Sequence, residues 1–243
     1  MTIDPQRCSG CGKCIPYCPT RAIIRDTATE RVTITEDECV ECGTCLHAGV
    51  CPSDALVRQE LTWPRILRRR FSNPLIRHPR TGVAGRGTEE MKTNDVTGRL
   101  QSGMVALTVE MGRPGVGARF RDAEKVTMAL SGPDVQLEPD NPVTHLVADT
   151  RTGRLRGDVL DEKVLSAIVE VTLPTERLRE TLEKLRRVSA EVDTVFSVGL
   201  ACRLGSDGAA AAFARALEAG FTPSPNGKTN VGLGRPAFEK RPA

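Results

Sequence analysis

The chain has 243 residues, with 34 Lys+Arg against 31 Asp+Glu, a formal charge of +3 and only 3% aromatic residues. That length leaves room for two domains, and the shortage of aromatics means any sizeable core is built from Val, Leu, Ile and Ala. No stretch approaches the ~18 uninterrupted apolar residues of a membrane span, and residues 1–20 lack the apolar core of a secretion signal. A soluble, cytoplasmic protein is expected.

Eight of the nine cysteines lie within the first 51 residues, in two runs. The first is Cys8-x2-Cys11-x2-Cys14-x3-Cys18-Pro19 and the second Cys39-x2-Cys42-x2-Cys45-x5-Cys51-Pro52. Zinc ribbons use two Cys-x2-Cys pairs, not two consecutive triplets each followed by Cys-Pro. A disulfide framework would need an oxidising compartment. Three thiolates two residues apart, completed by a fourth from the other run, form the binding frame of a cubane iron–sulfur cluster. The spacing therefore predicts two such clusters and transfer of single electrons.

Residues 1–60 resemble the bacterial two-cluster ferredoxins. The halves repeat with a period of 31, Ile3 matching Ile34, Cys8 matching Cys39 and Cys14 matching Cys45, while Ala22-Ile23 answers Ala55-Leu56. The resemblance implies two 4Fe–4S clusters, one held by Cys8, Cys11, Cys14 and Cys51, the other by Cys39, Cys42, Cys45 and Cys18. The middle cysteines Cys11 and Cys42 are intact, against a three-iron cluster. The second run departs from the first: Leu46–Val50 is longer than Ile15–Tyr17, so the two clusters are expected to differ in potential. His47 in that stretch reads as a solvated loop histidine.

Charge is uneven. Residues 1–60 carry 6 Lys/Arg against 9 Asp/Glu, net −3, whereas residues 61–88 hold Arg65, Arg68, Arg69, Arg70, Arg77, Arg80 and Arg86 with no acid. With Pro64, Pro74, Pro79, Gly82, Gly85 and Gly87, the stretch 61–90 reads as a connector in which a continuous helix is disfavoured, a single helical turn about Ile66–Arg70 apart. A basic patch is the sequence-independent part of nucleic-acid binding, but only Trp63 and Phe71 are interleaved with it. The expected use is an extended arm that docks on a partner subunit, without nucleic acid.

Residues 91–243 alternate strand and helix. Val105, Leu107, Val109 and Met111 predict a half-buried strand; the turn Gly112–Gly117 and a helix over 118–130 follow. Thr144–Asp149 and Ala167–Leu173 are further strands. Thr175–Ser189 is a helix with the stripe Leu178, Leu182 and Leu185. Phe196–Cys202 is a strand, and a last helix runs from an Asp207 N-cap to Gly220. The β-α-β of 164–202 has the rhythm of a split βαβ, ferredoxin-like or ACT-like domain, so the fold class is α+β. Arg113, Arg119 and Arg121 beside a helix start could hold a phosphate, but the order G-x-x-G-x-G is not the dinucleotide fingerprint, and the glycines suit a plain turn. Cys202 reads as a small core residue. Lys92-Thr93-Asn94 recurs as Lys228-Thr229-Asn230, and Gly112-Arg113-Pro114 as Gly234-Arg235-Pro236.

No catalytic constellation is visible. The expected role is an electron-transfer subunit of an oxidoreductase, delivering electrons to a partner enzyme. The alternative is a small self-contained reductase whose C-terminal domain binds substrate or flavin.

Overall fold

The structure is a computed structural model that describes residues 1–85, 100–204 and 211–222. Its N-terminal part has strands of two or three residues: β1 (Thr2–Ile3) pairs antiparallel with β4 (Leu56–Val57), and β2 (Ile23–Arg25) with β3 (Val32–Ile34). Most of the chain here is spent on cysteine loops, so the strands stay short. The core is correspondingly thin, with Met1, Ala22, Ile23, Val32 and Leu56 packed against Cys14, Cys39 and Cys45. A unit this small needs a metal or a cross-link to be stable. The five residues Leu46–Val50 turn the 3₁₀ step Ile15–Tyr17 of the first run into a full α turn, α1 (Thr44–His47).

The connector differs from its expected form. Ile66–Ser72 is a seven-residue helix, α2, that buries Leu67 and Phe71. Pro64 and Pro74 bracket nine residues free of Pro and Gly, which is room for two helical turns, and the backbone is already extended at Asn73, ahead of Pro74. The Phe71 ring meets Phe120 edge-on at 5.1 Å and His78 at 5.9 Å. The first half of the connector is thus folded, not an extended arm.

His78 is 5% exposed and stacks on His145 at 6.2 Å. Burial, the neighbouring His145 and the Arg70 and Arg80 cations push its pKa down to about 4. An unfolded histidine titrates near 6.5, so on acidification the unfolded chain takes the proton first. The stability tied to neutral His78 is complete above ~6.5 and is lost as pH falls towards about 4. The urea midpoint of the wild type should drop more between about pH 7 and about pH 5 than that of His78→Gln. Equal drops would remove His78 as the cause.

The larger part is a four-stranded sheet with helices on it. Its elements run β5 (Met104–Met111), β6 (Ala118–Arg119), α3 (Phe120–Leu130), β7 (Gln136–Leu137), β8 (Val147–Asp149), β9 (Arg154–Leu155), β10 (Lys163–Val164), β11 (Ala167–Pro174), α4 (Leu178–Val188), β12 (Phe196–Cys202) and α5 (Ala211–Glu218). The sheet order is β12-β5-β11-β7, every pair antiparallel, with β5 and β11 matched over eight residues from Met104↔Pro174 to Met111↔Ala167. Val105, Leu107, Val109 and Met111 pack with Val171 and Leu173, under Phe120, Val126 and Leu130 of α3 and Leu178, Leu182 and Leu185 of α4. β5 is not half-buried as its alternation predicts, because Ala106 and Thr108 on the opposite face are covered too, Ala106 by Leu100 and Ala201.

Only the second half of the 144–149 strand forms; Thr144–Leu146 is a 3₁₀ turn, and Asn141 Oδ1 accepts the Val143 N–H just before it. The last helix closes at Gly220, whose N–H bonds Leu217 O while Phe221 N–H bonds Ala216 O. Asp207, the expected cap, lies outside the described residues. None of the helices described is long and apolar enough to cross a membrane.

Candidate metal centre

The two cysteine runs repeat in backbone as well as in sequence. Gly10 and Glu41 are both left-handed (φ 72° and 58°), as are Gly12 and Gly43 (72° and 75°) and Arg21 and Asp54 (57° and 48°). Glycine at 12 and 43 adopts this turn without the cost a side chain brings. The left-handed Arg21 and Asp54 swing the next amide back, so that Ala22 N–H donates to Cys18 Sγ at 3.1 Å and Ala55 N–H to Cys51 Sγ at 3.2 Å. The hydroxyls of Thr20 and Ser53 stand 3.8 and 3.7 Å from the same two sulfurs, and Thr44 Oγ1 donates to Cys42 Sγ at 3.3 Å. Donors of this kind stabilise negative sulfur.

The folded chain gathers the thiols in two groups. Burial pushes the Cys14 thiol up, and Cys51, Cys11 and Cys8 push it further. Burial likewise carries Cys45 up to about 12, helped by Cys42, Cys18 and Cys39. Cys8, Cys11, Cys14 and Cys51 line one cavity walled by Ile3, Val32 and Leu56. Burial also raises Cys39. The exposed Cys11 is lowered, by the Lys13 amide and then the Ser9 hydroxyl. For Cys51 burial pushes upward, but the Ala55 and Ser53 amides outweigh it and the net shift is down.

All-sulfur donor sets, with amides aimed at the sulfurs, fit a thiolate-bound iron–sulfur cluster. Among the described residues no three His, Cys, Asp or Glu side chains could hold a single metal ion, and a cubane needs its thiolates farther apart than one ion does.

Two residues beside this centre were not legible in the sequence. Glu41, inside the second Cys-x2-Cys loop, is buried and paired with Arg65 at 2.9 Å and the Met1 ammonium at 2.5 Å. Arg68, 4% exposed, donates to the carbonyls of Glu36 (3.1 Å), Asp37 (2.8 Å) and Cys39 (3.1 Å) and pairs with Glu162 at 2.5 Å. Its place within an arginine-rich run gave no sign which of the seven turns inward.

The remaining candidates fall outside the centre. His47 is exposed at the end of α1, with Nε2 2.9 Å from Arg58 Nη2. The Gly112–Gly117 turn is not an open anion site: Phe120 and Arg121 N–H bond Glu162 and Leu160 carbonyls, Arg113 pairs with Glu110, and Arg121 with Asp161. Instead the turn lies against the N-terminal unit, where a Cβ at Gly115 would come 3.0 Å from Pro19 O, next to Cys18. Cys202 is half-buried on β12 and packs on the main core. The tripeptides at 92–94, 228–230 and 234–236 lie outside the described residues.

Residues 7–55 match the family described as the 4Fe-4S dicluster domain. The chain is 40% identical over 62 residues to the "Ferredoxin-like protein in vnf region" of Azotobacter vinelandii, spanning 24% of this chain and 91% of that protein. The protein of the same description from Azotobacter chroococcum mcd 1 is 38% identical over 63 residues, again 24% of this chain and 91% of the relative. "Ferredoxin-1" of Rhodobacter capsulatus is 45% identical over 42 residues, covering 17% of this chain and 62% of that one. No solved structure matches at comparable significance. Through its N-terminal quarter, then, the chain belongs to the 4Fe-4S dicluster ferredoxins, iron–sulfur electron-transfer proteins.

Proposed function

We propose that the chain is an electron-transfer subunit carrying two 4Fe–4S clusters, one on Cys8, Cys11, Cys14 and Cys51 and the other on Cys39, Cys42, Cys45 and Cys18, and that it delivers single electrons to a partner redox enzyme. The clusters, when bound, supply one-electron chemistry. The supporting observation is the pair of thiol groups, Cys14 among Cys51, Cys11 and Cys8, and Cys45 among Cys42, Cys18 and Cys39. The amides of Ala22 and Ala55 hold the fourth sulfur of each run in place. Thiolate-bound iron lasts best in a reducing compartment such as the cytoplasm.

The larger domain is a split βαβ sandwich in this reading, since its β-α-β-β-α-β order and the antiparallel sheet β12-β5-β11-β7 suit that arrangement. In the connector, Arg77 and Arg80 are exposed and left for a second contact with a partner, because Arg65 and Arg68 face inward.

Iron analysis of two variants tests the ligand sets. Cys11→Ala should lose about four of about eight irons, and Cys42→Ala the other four. Full iron content in either variant would sink the assignment.

A further inference from the structure

Acidic and basic groups separate across the N-terminal unit. Three of the four acids of residues 36–41 turn toward the chain's own connector and larger domain. Asp37 pairs with Arg119 at 2.6 Å, Glu38 with Arg119 at 3.2 Å and with Lys163, and Glu41 with Arg65 at 2.9 Å. The second thiol group lies on this covered side: Cys39, Cys42 and Cys45 are buried, Arg68 holds the Cys39 carbonyl, and Gly115 closes on Pro19.

The other side is open and carries a run of cations between Asp4 and Asp26. Residues 5–25 contain Arg7, Lys13, Arg21 and Arg25 and no acid, and all four cations are exposed. Of the eight cysteines in the two runs, Cys11 alone is exposed. Lys13 stands two residues from it, and Arg25 reaches over the neighbouring Gly12, where a Cβ would come 2.6 Å from Nη2. Two of the cations are partly offset, Arg7 by Asp4 at 3.4 Å and Arg25 by the exposed Glu30 at 3.6 Å. Lys13 and Arg21 have no ion pair among the described residues.

We propose that electrons cross the protein surface at Cys11, and that the partner protein meets this edge with an acidic face drawn by Lys13, Arg25, Arg7 and Arg21. The inference rests on the ligand reading above and adds to it the port and the charge of the partner. The net −3 of residues 1–60 points to a basic partner, but Asp37, Glu38 and Glu41 are taken up by the chain's own cations. Electron transfer weakens steeply with distance, so the exposed ligand is where a docked acceptor comes closest. Complementary charge raises the encounter rate and makes it salt-sensitive.

The test uses the full chain, assayed for iron, reduced anaerobically, freed of reductant and mixed with one of two acceptors. Anionic ferric EDTA takes one electron to become ferrous EDTA; cationic hexaamminecobalt(III) takes one to become cobalt(II). The ferric EDTA rate should fall by roughly tenfold from low to high ionic strength. Lys13→Glu/Arg25→Glu should cut that rate by about tenfold at low salt and raise the cobalt rate. A ferric EDTA rate that ignores salt or rises with it overturns the port, as does a double variant that moves neither rate. Wild-type salt dependence decides the matter even if the variant loads poorly. Iron well below about eight per chain sinks the two-cluster reading instead, and the port with it.

Discussion

Arg68→Ala is expected to cost about 3–5 kcal/mol of folding free energy and to release iron first from the Cys39 side. The guanidinium is 4% exposed and satisfies three carbonyls of the loop leading into Cys39, as well as the Glu162 carboxylate. Removing it leaves that carboxylate, 13% exposed, without its buried partner and the three carbonyls without a donor, and unmade buried bonds carry the full desolvation cost. Arg68→Lys should rescue little, because one ammonium cannot reproduce a planar fork that reaches three carbonyls and a carboxylate. Urea unfolding with iron analysis at each step checks both claims. Simultaneous loss of all iron, or a cost below ~1 kcal/mol, would contradict a selective clasp.

Phe71→Ala should cost about 3–5 kcal/mol, as for other buried Phe truncations. The ring is 2% exposed, and together with Leu67 of the same helix it anchors the connector in the core, edge-on to Phe120. Leu75→Ala, four residues on and 69% exposed, should stay within about 0.5 kcal/mol. Thermal unfolding of the two variants separates a structural helix from a free arm: comparable small effects would return the connector to the status of a linker.

The elements legible in the sequence are those with long, regular patterns. β5, β11 and β12 alternate over seven or eight residues, and α4 carries a stripe of three leucines. β7 is two residues, Gln136–Leu137, defined only by its place beside Thr172 and Val171. No local pattern marks so short a strand. α2 is longer than the single turn its composition suggests, because the connector's Pro and Gly fall outside the nine residues between Pro64 and Pro74.

The cysteine frame was legible in the sequence alone, because its ligand spacing is a local property of the chain: two residues between thiols set how a loop can wrap a cluster. So were the family and the electron-transfer chemistry. What surrounds the frame was decided by tertiary structure. Charges counted along residues 1–60 give an acidic unit, but Arg65, Arg68, Arg119 and Lys163 come back from 24 to 125 positions away to face its acids. An electrostatic surface depends on which charges end up paired and which end up in water, and only the fold settles that.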